Sequence, residues 1–296
     1  VAAGAAPPTA VAASGPLAAC SAEGEVLPER FRRQAGCTCG EAKAAAAPSE
    51  EAGPARCFFF DLGMNWGDSL RLWYHEGDGF PCERVLGYAP GNMTAHCRHH
   101  TQLGRALLEH SAFPLLGKLG FSRRDCKVVG FELLRKYSSI LREVSRMVVE
   151  RQFAREAPTM YLERAVSTCD GAVYAYRNPR GFDANVLTPS TLQRSCAAAA
   201  LNPKHRRELH KGTTVNLLRV LRETVRKKDF VVMKVDVEGS EYDILPCLAN
   251  SSAAQLVDLL YMEEHPGMVA PEAHVAMRHA YRKLRRRGVR LNFDWP

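Results

Sequence analysis

Long apolar runs are missing from this sequence, and none of its segments approaches the roughly 18–20 residues that a membrane-spanning helix needs. Residues 1–56 also lack Trp and Tyr and contain a single Phe, whereas Ala, Pro and Gly are abundant. A segment with so few large apolar side chains buries too little surface to offset the entropy of ordering. We therefore predict no membrane span, a disordered Ala/Pro-rich leader over 1–56 and one folded domain over 57–296.

The ten cysteines are scattered along 296 residues and do not form the dense pattern of a small disulfide-stapled domain. They favour free thiols in a reducing compartment, and we expect a cytoplasmic location. Arg30, Arg32 and Arg33 leave an organelle-targeting leader open, although nearby acidic residues argue against it. A group of His and Cys at 82–100 lacks the tight pairs of a zinc site, so we predict no metal there.

Acidic residues are outnumbered by basic ones, and the formal net charge is +8. The basic residues concentrate at 204–207, 226–228 and 282–287, with few aromatic residues between them. A nucleic-acid groove would combine such charge with aromatic side chains, so exposed helix faces explain these segments better. We expect no nucleic-acid partner, although the positive field could steer an anionic substrate.

Short apolar runs alternate with helical patterns from residue 57 to the end of the chain. Strands are predicted at 57–61, 127–132, 159–166, 172–176, 230–236, 256–262 and 289–293, helices at 68–74, 133–148, 215–226, 240–248 and 272–287, and a loop with some helix at 178–212. This alternation predicts an α/β fold with a doubly wound, mainly parallel sheet of Rossmann-like type. Such sheets bind ligands beyond the carboxyl ends of their strands.

The first strand ends in an acidic, glycine-containing turn from Asp61 to Asp68. A dinucleotide fingerprint needs glycine in the middle of the turn, where Asn65 stands, and a phosphate loop needs Lys after Gly67. Two acids beside the turn would repel phosphates but could hold a cationic aminoacyl group. S-Adenosylmethionine carries an ammonium, a sulfonium and no phosphate, so the turn suits it better than it suits NAD or ATP.

Two further strand ends carry acidic residues. Glu132 closes the second strand, where a carboxylate can accept both ribose hydroxyls of an adenosine. The sequence KVDVEGSE at 234–241 places Lys234, Asp236 and Glu238 on one side of a strand that leaves the sheet. These acidic strand ends would lie at one edge of the sheet and could form a single site.

The block at 234–241 could also be an ordinary capped helix start with incidental charges. Gly239 permits a sharp turn, and Ser240 together with Asp243 is predicted to cap the next helix. However, Lys234 lies in a buried apolar run and needs a partner there. We therefore interpret the block as part of a site.

These motifs together resemble the FkbM-type methyltransferases. The turn at 61–68 is similar to the family's D-V-G-A-N-x-G opening, and 163–171 is similar to its segment N-x-A-[LV]-S-D-x-x-G. The block at 234–245 is the most specific part, since it matches the family's hallmark nearly unaltered. The resemblance covers residues 57–294 and implies a class I methyltransferase domain, bound S-adenosylmethionine and O-methylation.

The resemblance also implies contacts between individual residues and the cofactor. Those expected at its amino acid and ribose are Asp61, Gly63, Asn65, Gly67 and Glu132, and those expected near adenine are Val166 and Ser167.

Several residues depart from the family pattern. Met64 and Trp66 replace small or variable residues and would narrow the turn, and Thr168 and Asn216 stand where Asp is usual. The second-strand acid lies far beyond the roughly 20-residue spacing of such folds, so residues at about 75–126 are predicted to form an insertion over the substrate mouth.

Methyl transfer to oxygen requires acceptor oxygen, methyl carbon and sulfur to lie nearly on one line. Orientation contributes about 7–11 kcal/mol and a positioned base roughly 10²–10⁴-fold, so positioning is expected to dominate. Asp236 or His265 is our candidate base, with Lys234 holding Asp236 ionised and Glu238 orienting the acceptor or the helix. Alternatively, the carboxylates of Asp236, Glu238 and Glu263 could chelate Mg²⁺ on a diol acceptor, although no sequence motif supports a metal.

Three other functions fit parts of the sequence. A catalytically inactive methyltransferase-fold binding module would explain Met64, Trp66 and Thr168, but not the intact block at 234–241. A nucleic-acid methyltransferase would use the basic C-terminal helix, yet the D/N-P-P-Y/F tetrad of amino methylation is missing. A nicotinamide oxidoreductase is disfavoured by Asn65. We expect a small-molecule or glycan acceptor, whose identity the sequence does not reveal; neither does it reveal the oligomeric state.

Overall fold

The computed structural model describes residue 39 and residues 53–74, 106–177, 184–186, 208–269 and 271–293. The leader predicted at 1–56 and the insertion predicted at 75–126 therefore lie partly outside the described residues. The His and Cys group of the insertion lies entirely outside them, at Cys82, His96, Cys97, His99 and His100.

Ten strands form two sheets in the described part of the chain. They are β1 (Cys57–Leu62), β2 (Cys126–Glu132), β3 (Thr159–Leu162), β4 (Arg164–Ser167), β5 (Gly171–Arg177), β6 (Ala184–Val186), β7 (Glu208–Asn216), β8 (Phe230–Val235), β9 (Leu259–Met262) and β10 (Arg290–Asn292). The larger sheet has the order β10-β9-β8-β1-β2-β3, and all its neighbouring strands are parallel. The smaller sheet has the order β4-β7-β5-β6, with β5 antiparallel to both its neighbours.

Helices connect the strands of the larger sheet. They are α1 (Asp68–Tyr74), α2 (Ala112–Lys118), α3 (Ser138–Glu150), α4 (Leu217–Thr224), α5 (Glu241–Asn250) and α6 (Pro271–Arg286), and short 3-10 turns lie at Arg123–Asp125, Arg135–Tyr137, Ser252–Leu256 and Pro266–Met268. None of the helices in the described ranges is long and apolar enough to cross a membrane. The basic residues of α6 are exposed near its C-terminal end, where they also face the negative end of the helix dipole.

The larger sheet is buried on both faces, as the continuous apolar sequence of β1 predicts. On one face, Phe58 and Phe60 belong to a core that includes buried residues of α4, α5 and α6. On the other face, Phe59 belongs to a core that includes residues of α1, α2 and α3, and its ring stacks on Trp73 at 4.3 Å. The predicted α/β fold with helices on both faces of a parallel sheet is therefore confirmed.

The order of the strands defines where this sheet can bind a ligand. From β1 the chain continues to β2 on one side, whereas β8 lies on the other side of β1. The helices on either side of this reversal cover opposite faces, so a crevice opens beyond the carboxyl ends of β1 and β8. The turn after β1 and the block after β8 both lie at this crevice.

Two predicted elements differ from the structure. The strand predicted at 159–166 divides at Glu163, whose φ of 59° lets β3 join the larger sheet and β4 the smaller one. The loop predicted at 178–212 contains the short strand β6 and ends earlier, because β7 already begins at Glu208. The sequence of β7 is polar and gives no apolar pattern, yet β7 pairs with both β4 and β5.

Every cysteine in the described ranges is disulfide-bonded, so the prediction of free thiols is wrong for these residues. Cys57–Cys126 joins the paired starts of β1 and β2, and Cys39–Cys247 ties the chain ahead of β1 to α5. Cys169 is bonded as well. The first two pairs join residues 69 and 208 positions apart, and the fold alone brings them together. Disulfides are rare in a reducing cytosol, so the cytoplasmic expectation loses its original basis.

Removing the bond between β1 and β2 should destabilise the protein. A Cys57→Ala/Cys126→Ala double variant is expected to lose about 2–4 kcal/mol of unfolding free energy, because the bond restricts a long loop of the unfolded chain. Urea denaturation without reductant measures this loss. With reductant, the wild type and the variant should nearly converge; an undiminished difference would assign the loss to side-chain packing instead.

Candidate functional site

The turn after β1 packs tightly between β2 and the chain that leaves β8. Gly63, Asn65 and Gly67 have left-handed φ angles of 88°, 51° and 88°, which favour glycine and tolerate asparagine. The backbone N–H of Gly63 donates to the carbonyl oxygen of Phe131 at 3.1 Å. A Cβ atom at Gly63 would lie 1.8 Å from the carbonyl oxygen of Asp236. Glycine is therefore required at position 63, because the backbone that leaves β1 and the backbone that leaves β8 are in direct contact here.

Met64 does not narrow this turn, contrary to the sequence-based expectation. Its side chain is fully buried in the core. It occupies the space above Gly130 of β2, where a Cβ atom would lie 2.2 Å from the Met64 sulfur. Trp66 packs under the guanidinium of Arg71, whose Cζ lies 4.4 Å from the ring centroid. The larger residue at position 64 is thus matched by a glycine on the neighbouring strand.

Glu132 links the end of β2 to the turn after β1. Its Oε2 accepts a hydrogen bond from the N–H of Asn65 at 2.8 Å, and its Oε1 accepts one from the N–H of Leu134 at 2.6 Å. Burial raises the pKa of Glu132 to about 7, although the two N–H donors lower it. Each carboxylate oxygen can accept a second hydrogen bond, so Glu132 can still bind a hydroxyl group.

Lys234 is fully buried and connects β8 with the turn after β1. Its Nζ donates to the carbonyl oxygen of Gly63 at 2.6 Å, and lies 3.0 Å from Asp236 Oδ2 and 3.5 Å from Asp61 Oδ1. Burial disfavours the ammonium, but the charges of Asp236 and Asp61 outweigh it and raise the pKa of Lys234 above its ordinary value. Burial also raises the pKa of Asp61, to about 7, against the attraction of Lys234.

The segment after β8 makes a sharp turn, in which Glu238 and Gly239 have left-handed φ angles of 53° and 98°. The predicted cap by Ser240 and Asp243 is wrong, because the Ser240 side chain makes no capping hydrogen bond. Instead, Glu241 Oε2 accepts from the N–H of Gly239 at 2.8 Å. The Ser240 hydroxyl therefore stays available at the edge of the site.

His265 follows β9 and lies among four carboxylates. Glu241 Oε1 accepts a hydrogen bond from the backbone N–H of His265 at 2.9 Å and lies 3.1 Å from its Nδ1. The Nε2 atom lies 3.8 Å from Asp236 and 3.7 Å from both Glu238 and Glu263. Burial lowers the pKa of His265, but the surrounding carboxylates outweigh it and raise the pKa to about 9. The imidazole is therefore protonated at neutral pH.

A cleft lies at the carboxyl ends of β1, β2 and β8, with residues of β4 along one side. The predicted site residues that line it are Gly63, Asn65, Glu132, Val166, Asp236 and Glu238. Those that do not line it are Asp61, Gly67, Ser167, Lys234 and His265. The ends of β1, β2 and β8 and residues of β4 in the smaller sheet therefore line one cleft. Lys234 and Asp61 are fully buried next to it and do not line it.

Several lining residues have no counterpart in the sequence-based site. They are Phe131, Leu133, Leu134, Tyr137, Arg164, Ala165, Val237 and Ser240. Their only signal in the sequence is proximity to the predicted strand ends. Two polar atoms of the cleft residues, Asn65 Oδ1 and Ser240 Oγ, are buried without a hydrogen-bond partner among the described residues. Such atoms are uncommon in folded proteins and suit contact with a ligand.

Asn216, which replaces the family's usual Asp, has a structural role. Its side-chain oxygen accepts from the N–H groups of Leu218 at 2.9 Å and Arg219 at 3.2 Å, and so caps α4. Asparagine and aspartate are equally good at this position, so the replacement does not weaken the helix start. Thr168, which also stands where the family usually has Asp, directly follows β4 and is buried.

Asp236, Glu263 and His265 form the group that comes nearest to a metal site in the described ranges, since one ligand atom of each lies within 4.8 Å of the others. Donors around one small cation lie about 3 Å apart, whereas Nε2 is 3.8 Å and 3.7 Å from the two carboxylates. A metal would have to draw these groups together and displace a proton from His265. The Mg²⁺ alternative stays a prediction.

The switch-point cleft of this parallel Rossmann-like sheet is lined by Gly63 and Asn65 of the turn after β1 and by Glu132 and Asp236, which is the arrangement expected above for a protein of the methyltransferase class. Residues 119–291, more than half of the chain, match the family model described as Methyltransferase FkbM domain. The chain therefore belongs to the FkbM methyltransferase domain family. No curated protein and no solved structure matches it.

The close contact between Gly63 and the backbone of Asp236 predicts that a side chain at position 63 destabilises the protein. Gly63→Ala should cost about 2 kcal/mol or more, because alanine is strained at this φ and its Cβ would collide with backbone. Gly117→Ala in α2 is the matched control, since its Cβ would meet no atom of the described residues within 4 Å, and it should be neutral or slightly stabilising. Thermal unfolding of both variants measures the difference, and equal melting temperatures would contradict the packing described above.

Proposed function

We propose that the chain is an S-adenosylmethionine-dependent methyltransferase that methylates a hydroxyl oxygen on a small molecule or glycan. One observation carries the proposal: the turn after β1, Glu132 and Asp236 border a single cleft at the switch point of the sheet. Family membership supports methyl transfer as the chemistry. Carboxylates outnumber basic residues in the cleft, which favours a cationic ligand over a nucleotide phosphate.

The polar groups of the cleft fit the donor molecule. We assign its aminoacyl group to the turn at Gly63 and Asn65, where the Asn65 side-chain oxygen has no hydrogen-bond partner in the described part of the chain. Glu132 would accept hydrogen bonds from the ribose hydroxyls, as a strand-end acid does in related folds. Val166 and its apolar neighbours in the cleft would contact the adenine ring.

The predicted cofactor residues outside the cleft would act indirectly. Asp61 is fully buried beside Lys234, so we propose that it shapes the turn through that lysine. Gly67 lets the turn approach α3, because a Cβ there would lie 3.3 Å from the Leu141 side chain. Ser167 is half-buried next to Val166, and its contact with adenine stays a prediction.

When bound, S-adenosylmethionine supplies a methyl carbon made electrophilic by the sulfonium. Asp236 is our proposed base: it lines the cleft, and its carboxylate would take the proton that the acceptor oxygen gives up during transfer. Lys234 holds Asp236 Oδ2 at 3.0 Å, which leaves Oδ1 for the acceptor. We no longer propose His265 as the base, because it is already protonated at neutral pH. Glu238, at the cleft edge, would orient the acceptor.

We further propose that the protein works in an oxidising compartment. Two disulfides join distant parts of the described fold, and Cys169 is bonded as well. Such bonds persist where proteins are secreted or processed for secretion. Hydroxyl groups of glycans are abundant there, so glycans take priority among the acceptors to be tested.

The proposed activity can be tested without knowing the acceptor. Titration calorimetry should show binding of S-adenosylmethionine and of S-adenosylhomocysteine to the wild-type protein. Incubation with methyl-labelled S-adenosylmethionine and a mixture of soluble glycans, followed by mass spectrometry, should then reveal a methylated hydroxyl. Binding without transfer to any acceptor would favour the inactive binding module, and no binding at all would refute the proposal.

Asp236→Asn should separate proton transfer from binding of the methyl donor. The amide keeps the shape of the side chain but takes up no proton, so turnover should fall at least about tenfold while the Kd for S-adenosylmethionine stays nearly unchanged. Glu272→Gln, on the exposed first turn of α6, is the matched control and should keep full turnover. Unchanged turnover in Asp236→Asn would remove this residue from the mechanism.

The raised pKa of Glu132 predicts a pH dependence of ribose binding. The carboxylate is increasingly protonated below about pH 7, and only its ionised form is a strong acceptor for hydroxyl groups. Affinity for methylthioadenosine, which has the ribose but no aminoacyl group, should therefore rise severalfold from pH 6 to pH 8. Glu132→Gln should bind more weakly and with a flat profile; a flat wild-type profile would contradict the ribose assignment.

A further inference from the structure

Glu241 is a fully buried carboxylate with no part in the reaction proposed above. It begins α5, and its two oxygens contact two different loops. Oε2 accepts the N–H of Gly239 in the turn after β8, and Oε1 accepts the N–H of His265 after β9. A charged group that is buried so completely must be satisfied by its neighbours, and here it ties two loops of the site together.

The same carboxylate fixes the ring of His265. Its Oε1 lies 3.1 Å from Nδ1 and accepts a hydrogen bond from it when Nδ1 carries the hydrogen, which leaves Nε2 on the side of the other carboxylates. Nε2 lies 3.7–3.8 Å from oxygens of Asp236, Glu238 and Glu263. These separations are too long for hydrogen bonds but short for charge interactions, so an imidazolium at this place would be attracted by all three.

Asp236 consequently lies between two cationic groups. Lys234 is 3.0 Å from its Oδ2, and the His265 ring faces its Oδ1. The side chains of Asp236 and Glu238 are 19% and 23% exposed, so they remain accessible to an acceptor, whereas Glu241 is not. The position of His265 beside Asp236 Oδ1 thus depends on Glu241, which is buried and does not contact the acceptor.

We propose that Glu241 is a positioning residue: through its contacts with the backbone and ring of His265 it holds the imidazole beside Asp236, which keeps one Asp236 oxygen directed to the acceptor. This inference rests on the proposed function, in which Asp236 is the base. The groups that face His265 in the described structure are Asp236, Glu238, Glu241 and Glu263, with Lys234 behind Asp236. Burial of His265 disfavours the protonated ring, whereas the nearby carboxylates favour it. The raised pKa of His265 agrees with a stronger effect of the carboxylates.

Titration of the imidazole tests the inference without any turnover. In ¹⁵N-histidine-labelled wild-type protein, the His265 resonance, assigned by its loss in His265→Gln, should titrate near pH 9. In Glu241→Gln it should titrate at least about one pH unit lower, because a charge and its hydrogen bond are lost. Glu264→Gln removes the adjacent carboxylate, which binds Tyr281 and not His265, and should leave the titration nearly unchanged.

Kinetics distinguish a positioning role from a purely structural one. With an acceptor in hand, Glu241→Gln should lower kcat severalfold at pH 8, where a large fraction of its His265 is neutral, and by less at pH 6, where the ring is charged again. KM for S-adenosylmethionine should change little, and Glu241→Asp should restore part of kcat. A structural defect would instead lower kcat equally at both pH values.

The two tests separate this inference from the proposed function. A wild-type His265 that titrates near its ordinary pKa, or that shifts equally in Glu241→Gln and Glu264→Gln, would overturn the role of Glu241 even if methyl transfer is observed. A titration as expected in a protein that binds no S-adenosylmethionine would support the contact but refute the methyltransferase proposal. A pH-independent loss of kcat would leave Glu241 as a structural residue and also overturn the inference.

Discussion

The buried ammonium of Lys234 is the interaction on which the rest of the site depends. An isolated charge at such depth would cost several kcal/mol, so Lys234 is stable only with acceptors on every side. It finds them in the carbonyl oxygen of Gly63 and the carboxylates of Asp61 and Asp236. These groups come from the ends of two neighbouring strands. Satisfying one charge therefore fixes the distance between the turn after β1 and the exit of β8, and with it the wall of the cleft.

Similar side chains take different roles in this site because their surroundings differ. Glu132 is buried and satisfied by two N–H donors, and its raised pKa places its titration near neutral pH. Asp236 lies at the cleft beside Lys234 and is our proposed base. His265, the residue type most often used as a base, is surrounded by carboxylates and is protonated instead. Environment, more than residue type, decides which group can act as acid, base or ligand.

A disulfide connects the strands of the site at the other end of the sheet as well. Cys57–Cys126 joins β1 and β2 at the end opposite the cleft, and hydrogen bonds from the turn after β1 join the same strands at the cleft end. The pair of strands that carries Gly63 and Glu132 is thus fixed at both ends. Cross-links of this kind restrict the relative movement of the two strands, which lowers the entropy cost of ordering the site on binding.

The sequence by itself determined the parallel α/β sheet, because alternating buried strands and amphipathic helices have few other ways to bury their apolar faces. It also predicted that Gly63, Glu132, Asp236 and Glu238 lie together at one edge of the sheet, since parallel strands bring their carboxyl ends to the same edge. Only the tertiary structure decided the cysteine pairing, the strand β7, the match of Met64 with Gly130 and the place of Glu241 against His265. These features depend on which distant residues become neighbours, and local periodicity carries no information about that choice.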